Sequence, residues 1–344
     1  MFASLNTPFV VLVLALPAAF AADDSKLVAV PGEPSLTAPA GVSVTVVADG
    51  KNQSIYSPTA LSFDEAGALY VAETHRFRFG IEDDRNHLDW YLDDLASKTT
   101  ADRLALHEKW KAKVPLESLT KKSEIVRKLS EPDDKGVFRK SDVFADGFND
   151  ILDGTAAGVF AMEGTVFLAS IPKIWTLVDK DGDGKSDERG VIQDGFGVHV
   201  SLSGHDLNGF ALGPDGRIYS TIGDRGFNLT TREGRKYVSP DCGAVFRFDP
   251  DGTNFEVVHT GLRNPKEIAF DDQGNAFSVD NNSDQGDKAR LVYIVEGGDS
   301  GWEIGHQGMH TFHGQIGLEE PPPGRWMVEK MWEPENNLQP AYIV

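Results

Sequence analysis

The stretch DLNGFALGPDGRIYSTIGD (206–224) runs from one apolar segment through Gly-Pro-Asp-Gly into a second apolar segment. A run, a turn rich in Asp and Gly, and a returning run make a hairpin. The same unit recurs in PTALSFDEAGALYVAE (58–73), TAAGVFAMEGTVFLAS (155–170) and PKEIAFDDQGNAFSVDN (265–281). In the first of these, Leu61/Phe63 and Leu69/Val71 fall at period two around Asp64-Glu65-Ala66-Gly67, so each strand has one buried face. Further apolar strands follow two of the copies: GAVFRFD (243–249) and FEVVHTG (255–261), then ARLVYIVEGG (289–298). Repetition of a four-stranded antiparallel unit predicts an all-β chain built as a β-propeller, with about four blades in these 344 residues. A β-sandwich is the alternative, but it gives no reason for one turn to recur.

Composition points the same way. The chain is 40% hydrophobic and 25% charged, which is globular, and its 35 Gly and 18 Pro suit many turns between short strands. Lys+Arg number 33 against Asp+Glu 53, a net charge of −20. That excess works against nucleic acid or an anionic membrane as partner, because polyanions are bound by Lys and Arg that neutralise phosphates. The single cysteine, Cys242, excludes an intrachain disulfide and any Cys-based zinc, iron–sulfur or haem attachment within the chain. GxGxxG after a strand, Walker A, HExxH and GxSxG are absent, which counts against nicotinamide dehydrogenases, NTPases, zincins and α/β-hydrolases.

At the front, FVVLVLALPAAF (9–20) is apolar but shorter than the roughly 20 residues a bilayer span needs. It reads as the core of a signal peptide over 1–21, with Ala19-Phe20-Ala21 as cleavage site, although no Lys or Arg precedes it; the alternative is a buried N-terminal strand, against which Asp23-Asp24 counts. A soluble protein exported to the periplasm or the extracellular space is expected, with no membrane span in the chain. The partial propeller then occupies 22–344, interrupted over 75–135. There, Leu88, Tyr91, Leu92 and Leu95 keep helical spacing, Thr100 is placed to cap a second helix with Leu104 and Trp110, and Ile125, Val126 and Leu129 suggest a third. This helical insertion packs on the propeller or covers it. It holds as many acidic as basic residues, so the propeller carries the whole negative excess.

In an up-and-down blade, the loop from strand two to three and the loop from strand four to the next blade emerge on one face. The first type carries Glu73-Thr74-His75-Arg76, Ser170-Ile171-Pro172, Asp224-Arg225 and Asp280-Asn281-Asn282. The second carries Asn149-Asp150, Ser203-Gly204-His205-Asp206 and Leu262-Arg263-Asn264-Pro265. One face therefore gathers His, Arg, Asn and Asp near the axis, which makes it the candidate site.

The segments GHDLNGFALGPDGRIYSTIGDRGFN (204–228), GLRNPKEIAFDDQGN (261–275) and EGGDSGW (296–302) resemble the soluble quinoprotein sugar dehydrogenases. Those are six-bladed propellers that bind pyrroloquinoline quinone and calcium. The resemblance implies His205 as the general base and Arg263 as a catalytic and quinone-contacting residue, with Arg76, Arg225 and Asn264 as further cofactor-binding candidates. Together with VAETHRFR (71–78), FNDILDGTAAGV (148–159) and DNNSDQGDKARLVYIVEGGDSGW (280–302), the chain is still more similar to the propeller domain of planctomycete-type membrane-bound dehydrogenases. In those long exported proteins a c-type haem domain often follows the propeller. The chain departs from the sugar dehydrogenases in having Asp206-Leu207-Asn208-Gly209 after the histidine, where they have Gly-Gly-Arg-like residues, and in having no counterpart before Val344 of the cofactor-binding residues of their last blades. A structural His205, bonded to Asp206 or to nearby backbone, is the alternative to a catalytic one.

DKDGDGKSDE (179–188) sets Asp179, Asp181, Asp183 and Asp187 at positions 1, 3, 5 and 9, Gly184 at 6 and the Lys185 carbonyl at 7, as a calcium loop does. Position 12 is Gly190 instead of Glu, so the loop is not a complete EF-hand, and a solvated acidic turn is the alternative. A second, less regular loop offers Asp280, Asp284 and Asp287. His306, His310 and His313 are spaced for a metal but have no accompanying carboxylate pattern.

Three functions compete. The first is an exported quinoprotein-like dehydrogenase domain that oxidises a sugar or other alcohol and passes electrons to a haem domain. The second is a non-catalytic calcium-binding propeller that holds carbohydrate or protein. The third, a metal-dependent lactonase type, would use Glu73, Asn149 and Asp206. The apolar PAYIV at 340–344 reads as the start of a further blade, so the chain is expected to be the front part of a longer protein.

Overall fold

The computed structural model describes residues 44–283 and 286–305, with short pieces at 11–13, 27–30, 33–39, 42, 315–317, 328 and 330. Asp284 and the histidines at 306, 310 and 313 lie outside the described residues.

The recurring Asp-x-x-Gly turns close in one way. Asp64 Oδ1 accepts from the Ala66 and Ala68 N–H groups at 3.0 and 2.8 Å, and Gly67 turns the chain at φ +83°. Asp271 repeats this with Gln273 and Asn275, and Gly274 lies at φ +84°. A side chain that satisfies two turn amides, followed by a residue free to enter the left-handed region, makes the hairpin locally determined.

Four sheets follow. Pro58–Phe63, Leu69–Glu73, Glu124–Pro132 and Phe138–Phe148 form an antiparallel blade in chain order. Gly158–Met162, Thr165–Ser170, Lys173–Val178 and Glu188–Asp194 form the second. The third comprises Leu207–Leu212, Ile218–Ile222, Gly243–Phe248 and Glu256–Leu262, with Gly298–Asp299 added in parallel at its outer edge. Ile268–Phe270, Ala276–Asp280 and Arg290–Ile294 form the fourth. The first strands of successive blades lie side by side, so the sheets radiate from an axis as in a β-propeller.

The core lies between blades. Tyr70, Val126, Phe148 and Leu168 fill the first interface, Phe167, Phe196, Leu207 and Phe246 the second, and Tyr219, Val245, Leu262 and Val292 the third. Each fully buried side chain of this size contributes roughly 1.5 to 3 kcal/mol, so packing of blade on blade holds the arc.

The insertion contains α1 (Tyr91–Ala96), α2 (Thr100–Trp110) and α3 (Leu116–Thr120). Thr99, not Thr100, caps α2, its hydroxyl accepting from Asp102 N–H at 3.1 Å. Leu106 turns inward with Trp90, Leu119 and Val200, whereas Leu104 is exposed. The helix expected over Ile125, Val126 and Leu129 is instead the strand Glu124–Pro132, so the insertion ends before Glu124 and not at 135. Ladders to Leu69–Glu73 on one side and Phe138–Phe148 on the other override the helical spacing, and β-branched Ile125 and Val126 suit a strand. An unannounced hairpin, Phe227–Thr230 with Lys236–Ser239, projects from the third blade. Within the apolar front segment, Val11–Val13 pair with Thr45–Ala48. No helix among the described residues is long and apolar enough to cross a membrane.

Candidate functional site

His205 precedes the first strand of the third blade and Asp224 follows its second. Leu207 pairs with Ile222, so the two residues flank the same end of one ladder. A side chain at Gly223 would meet the His205 backbone within 2.9 Å, so only glycine lets the segments close. His205 Nδ1 then lies 2.8 Å from Asp224 Oδ1. Asp224 also receives the Ser201 hydroxyl on Oδ1 and the Trp302 Nε1–H on Oδ2, each at 2.9 Å. The histidine is thus bonded to Asp224 and not to Asp206. Its Nε2 has no hydrogen-bond partner among the described residues.

Both members of the pair are buried, His205 at 5% and Asp224 at 1% exposure. Burial lowers the imidazole pKa from the usual 6.5, outweighing the opposing pull of Asp224, while Arg263 and Lys266 lower it further. Burial would raise the Asp224 carboxyl, but His205, Arg263 and Trp302 hold it below the ordinary carboxylate range. Neutral imidazole beside carboxylate is the resulting state at neutral pH.

Arg263 joins this face. Its carbonyl accepts the Asp224 N–H at 2.7 Å, and its guanidinium carbon lies 5.5 Å from the Trp302 ring centre. Arg225 Nε sits 3.4 Å from Asp206 Oδ1. Asp206 is fully buried, and its two carboxylate oxygens accept no hydrogen bond among the described residues. Asn264 donates its N–H to Asp280 at 2.7 Å, and its side-chain oxygen is buried without a hydrogen-bond partner among the described residues.

Arg76 does not join them. Its guanidinium donates to the carbonyls of Gly80, Leu119, Phe148, Asp150 and Asp153, where it ties the insertion to the first two blades. A cofactor at Arg76 would leave those buried carbonyls unsatisfied.

Lys266 was not foreseen as a site residue. Its ammonium reaches the Gly204 carbonyl and Asn208 Oδ1, and desolvation of that ammonium lowers its pKa although the residue as a whole is exposed. It lies between an axial cavity of about 480 Å³, shared with Asp206, Asn208 and Glu267, and one of about 540 Å³, shared with Asn264, Asp280 and Arg290. Its position directly after Arg-Asn-Pro was the available signal.

The acidic loops differ. Ligand oxygens of Asp179, Asp181 and Asp187 lie within 4.8 Å of one another. Asp179 also accepts from the Gly182 and Gly184 N–H groups, which folds the loop around it. Asp183 instead accepts from Lys185 N–H at 2.8 Å, and Lys185 is exposed. Asp280 turns inward, accepting from Arg263 N–H, Asn264 N–H and Arg290 Nη2. Asp287 faces the Ser283 N–H and hydroxyl. Asp280 and Asp287, the described aspartates of the second loop, therefore serve N–H and O–H donors of the protein. Of the lactonase-type set, Glu73 pairs with Arg127 and His75, Asn149 donates to the Thr120 carbonyl, and Asp206 faces Arg225, so each is engaged separately.

Residues 33–299 match the family described as Domain of unknown function (DUF7133). The chain belongs to this family. Among solved structures, this DUF7133 chain is similar to the PQQ-bound aldose sugar dehydrogenase of Streptomyces coelicolor. Identity is 16%, over 72% of this chain and 63% of that one, with a TM-score of 0.44. It is also similar to the holo PQQ domain of pyranose dehydrogenase from Coprinopsis cinerea, at 12% identity over 71% and 52% of the two chains, TM-score 0.39. The DUF7133 chain spans less than two thirds of either. No curated protein matches it.

Proposed function

We propose that this DUF7133 chain is a quinoprotein-like oxidoreductase domain that oxidises a sugar or another alcohol with pyrroloquinoline quinone as hydride acceptor. The His205–Asp224 pair carries this reading. Alcohol oxidation requires a base for the hydroxyl proton, and a buried, neutral imidazole with an uncommitted Nε2 suits it. Asp224 keeps the proton on Nδ1, so Nε2 is the atom that takes the substrate proton. The carboxylate then stabilises the imidazolium, while Trp302 and Ser201 hold its two oxygens in place.

The residues present fit an anionic quinone. Arg263 and Lys266 bring positive charge to the mouth, and the Asn264 side-chain oxygen, without a hydrogen-bond partner among the described residues, can accept from a donor on it. Arg263, Asn264, Lys266 and Arg225 are the residues that would hold it. When bound, the quinone supplies a two-electron acceptor. Calcium at Asp179, Asp181 and Asp187 would brace the second blade. Export through residues 1–21, supported by the apolar run at 9–20, and a c-type haem domain as electron acceptor, supported by the sequence resemblance, are further parts of the proposal.

Titration of the purified full-length protein with the quinone and calcium tests the proposal. An absorbance change, with dye reduction on addition of a sugar panel, is expected. If neither occurs while calcium still raises the melting temperature, the chain is the non-catalytic calcium-binding propeller that the acidic loop would support.

A further inference from the structure

We infer that the helical insertion positions the His205–Asp224 pair, acting through Asp94 and Ser201. The inference rests on the reading of His205 as the base. Asp94, in α1, accepts the Val200 N–H on Oδ1 at 2.7 Å and the Ser201 N–H on Oδ2 at 3.0 Å. From the turn before α1, the Asp84 N–H donates to the Ser201 carbonyl at 3.0 Å. Both peptide groups of Ser201 are thereby held by the insertion. Its hydroxyl is left to donate to Asp224 Oδ1, the oxygen that also faces His205 Nδ1.

Ser201 stands at φ +50°, in the left-handed region, although it is not glycine. Such a conformation persists where the surroundings over-determine it. The surroundings here belong to the insertion. Asp83 holds the next part of the segment, accepting the Ser203 N–H and hydroxyl at 2.9 and 2.7 Å, and His199 Nδ1 contacts the Asp94 carbonyl at 2.7 Å. The strand of contacts from 199 to 203 ends two residues short of His205, whose own N–H donates to the Leu202 carbonyl.

A hydroxyl donated to a carboxylate stabilises its charge and weakens its pull on a neighbouring imidazolium. Ser201 therefore sets how basic His205 can be. The other charged groups facing His205 are Arg263 and Lys266, from the turn between the third and fourth blades. Asp94 itself is faced by Asp84, Arg103, His107 and His199.

The test follows the His205 imidazole by NMR titration in the wild type, Ser201→Gly and Asp94→Asn. Glycine removes the hydroxyl and accepts φ +50° without strain, so it separates the hydrogen bond from backbone stability. The His205 pKa should rise by roughly 0.5 to 1 unit in Ser201→Gly, and Asp94→Asn should move it in the same direction. Where turnover is observed, the acid limb of the pH–rate profile should move with it. An unchanged His205 titration in folded Ser201→Gly overturns the inference, whatever Asp94→Asn does to folding. Because the NMR readout needs neither quinone nor substrate, failure of the dehydrogenase reading would show separately, as absent turnover with the titration shift intact.

Discussion

Trp302 Nε1 donates to Asp224 Oδ2 at 2.9 Å, across 78 positions of the chain. The residue that follows the fourth blade thereby fixes a carboxylate of the third. Trp302→Phe keeps an aromatic ring and removes the donor. It should lower stability by about 1.5 to 3 kcal/mol in urea unfolding, the range for a hydrogen bond to a charged group. An unchanged midpoint would mean that water replaces the indole.

His205→Ala should reduce turnover by about 10² to 10⁴, the range for loss of a positioned base, while quinone binding followed by absorbance is retained. In the wild type, kcat/KM should rise with pH through the His205 pKa, because the neutral imidazole is the active form. Burial puts that pKa below 6.5, so the acid limb should lie below pH 6.5. A limb above pH 7 would assign the titration to another group.

His107, buried in α2 against Trp90, has its pKa pushed down by burial to about 4. Between pH 6.5 and 4 the unfolded chain binds a proton there that the folded chain does not, so stability falls as pH falls through that window. The full loss is about 3 kcal/mol, and His107→Leu should abolish this part of the acid sensitivity. Equal pH dependence of urea midpoints in wild type and variant would refute it.

Glu124 joins the first blade to the second. It accepts from the Thr74 hydroxyl, the His75 and Arg76 N–H groups and, on its other oxygen, the Ala156 N–H at 2.7 Å. Glu124→Gln turns one acceptor into a donor facing donors, and should cost about 3 kcal/mol by thermal or urea unfolding. A cost under 0.5 kcal/mol would show that the loop relaxes around the amide.

Calcium at about 100 times its dissociation constant should stabilise the native state by about 2.7 kcal/mol, and Asp181→Asn should remove most of that gain. Thermal melts with calcium and with chelator read this directly.

The hairpins were legible in the chain because their causes are local. Asp64 and Asp271 bond amides two and four residues on, and Gly67 and Gly274 sit within the same turns. Period-two apolar residues around such turns leave little else to form, so the β-propeller could be read without coordinates. The convergence of His205, Arg225 and Arg263 on one face also followed, since strand order dictates which loops share an end. Other assignments needed the fold. Ile125, Val126 and Leu129 carry a helical spacing that is cancelled only when two neighbouring strands offer ladders. Arg76 looks like a free cation in sequence, and becomes a structural one only when the Gly80 carbonyl and four carbonyls from distant segments surround it. The partner of His205 was decided the same way: Asp206 is adjacent in the chain, but the strand register turns it toward Arg225 and brings Asp224 to the imidazole. Local bonding writes itself into neighbouring residues, whereas the pairing of charges depends on which segments the packed blades bring within 3 Å.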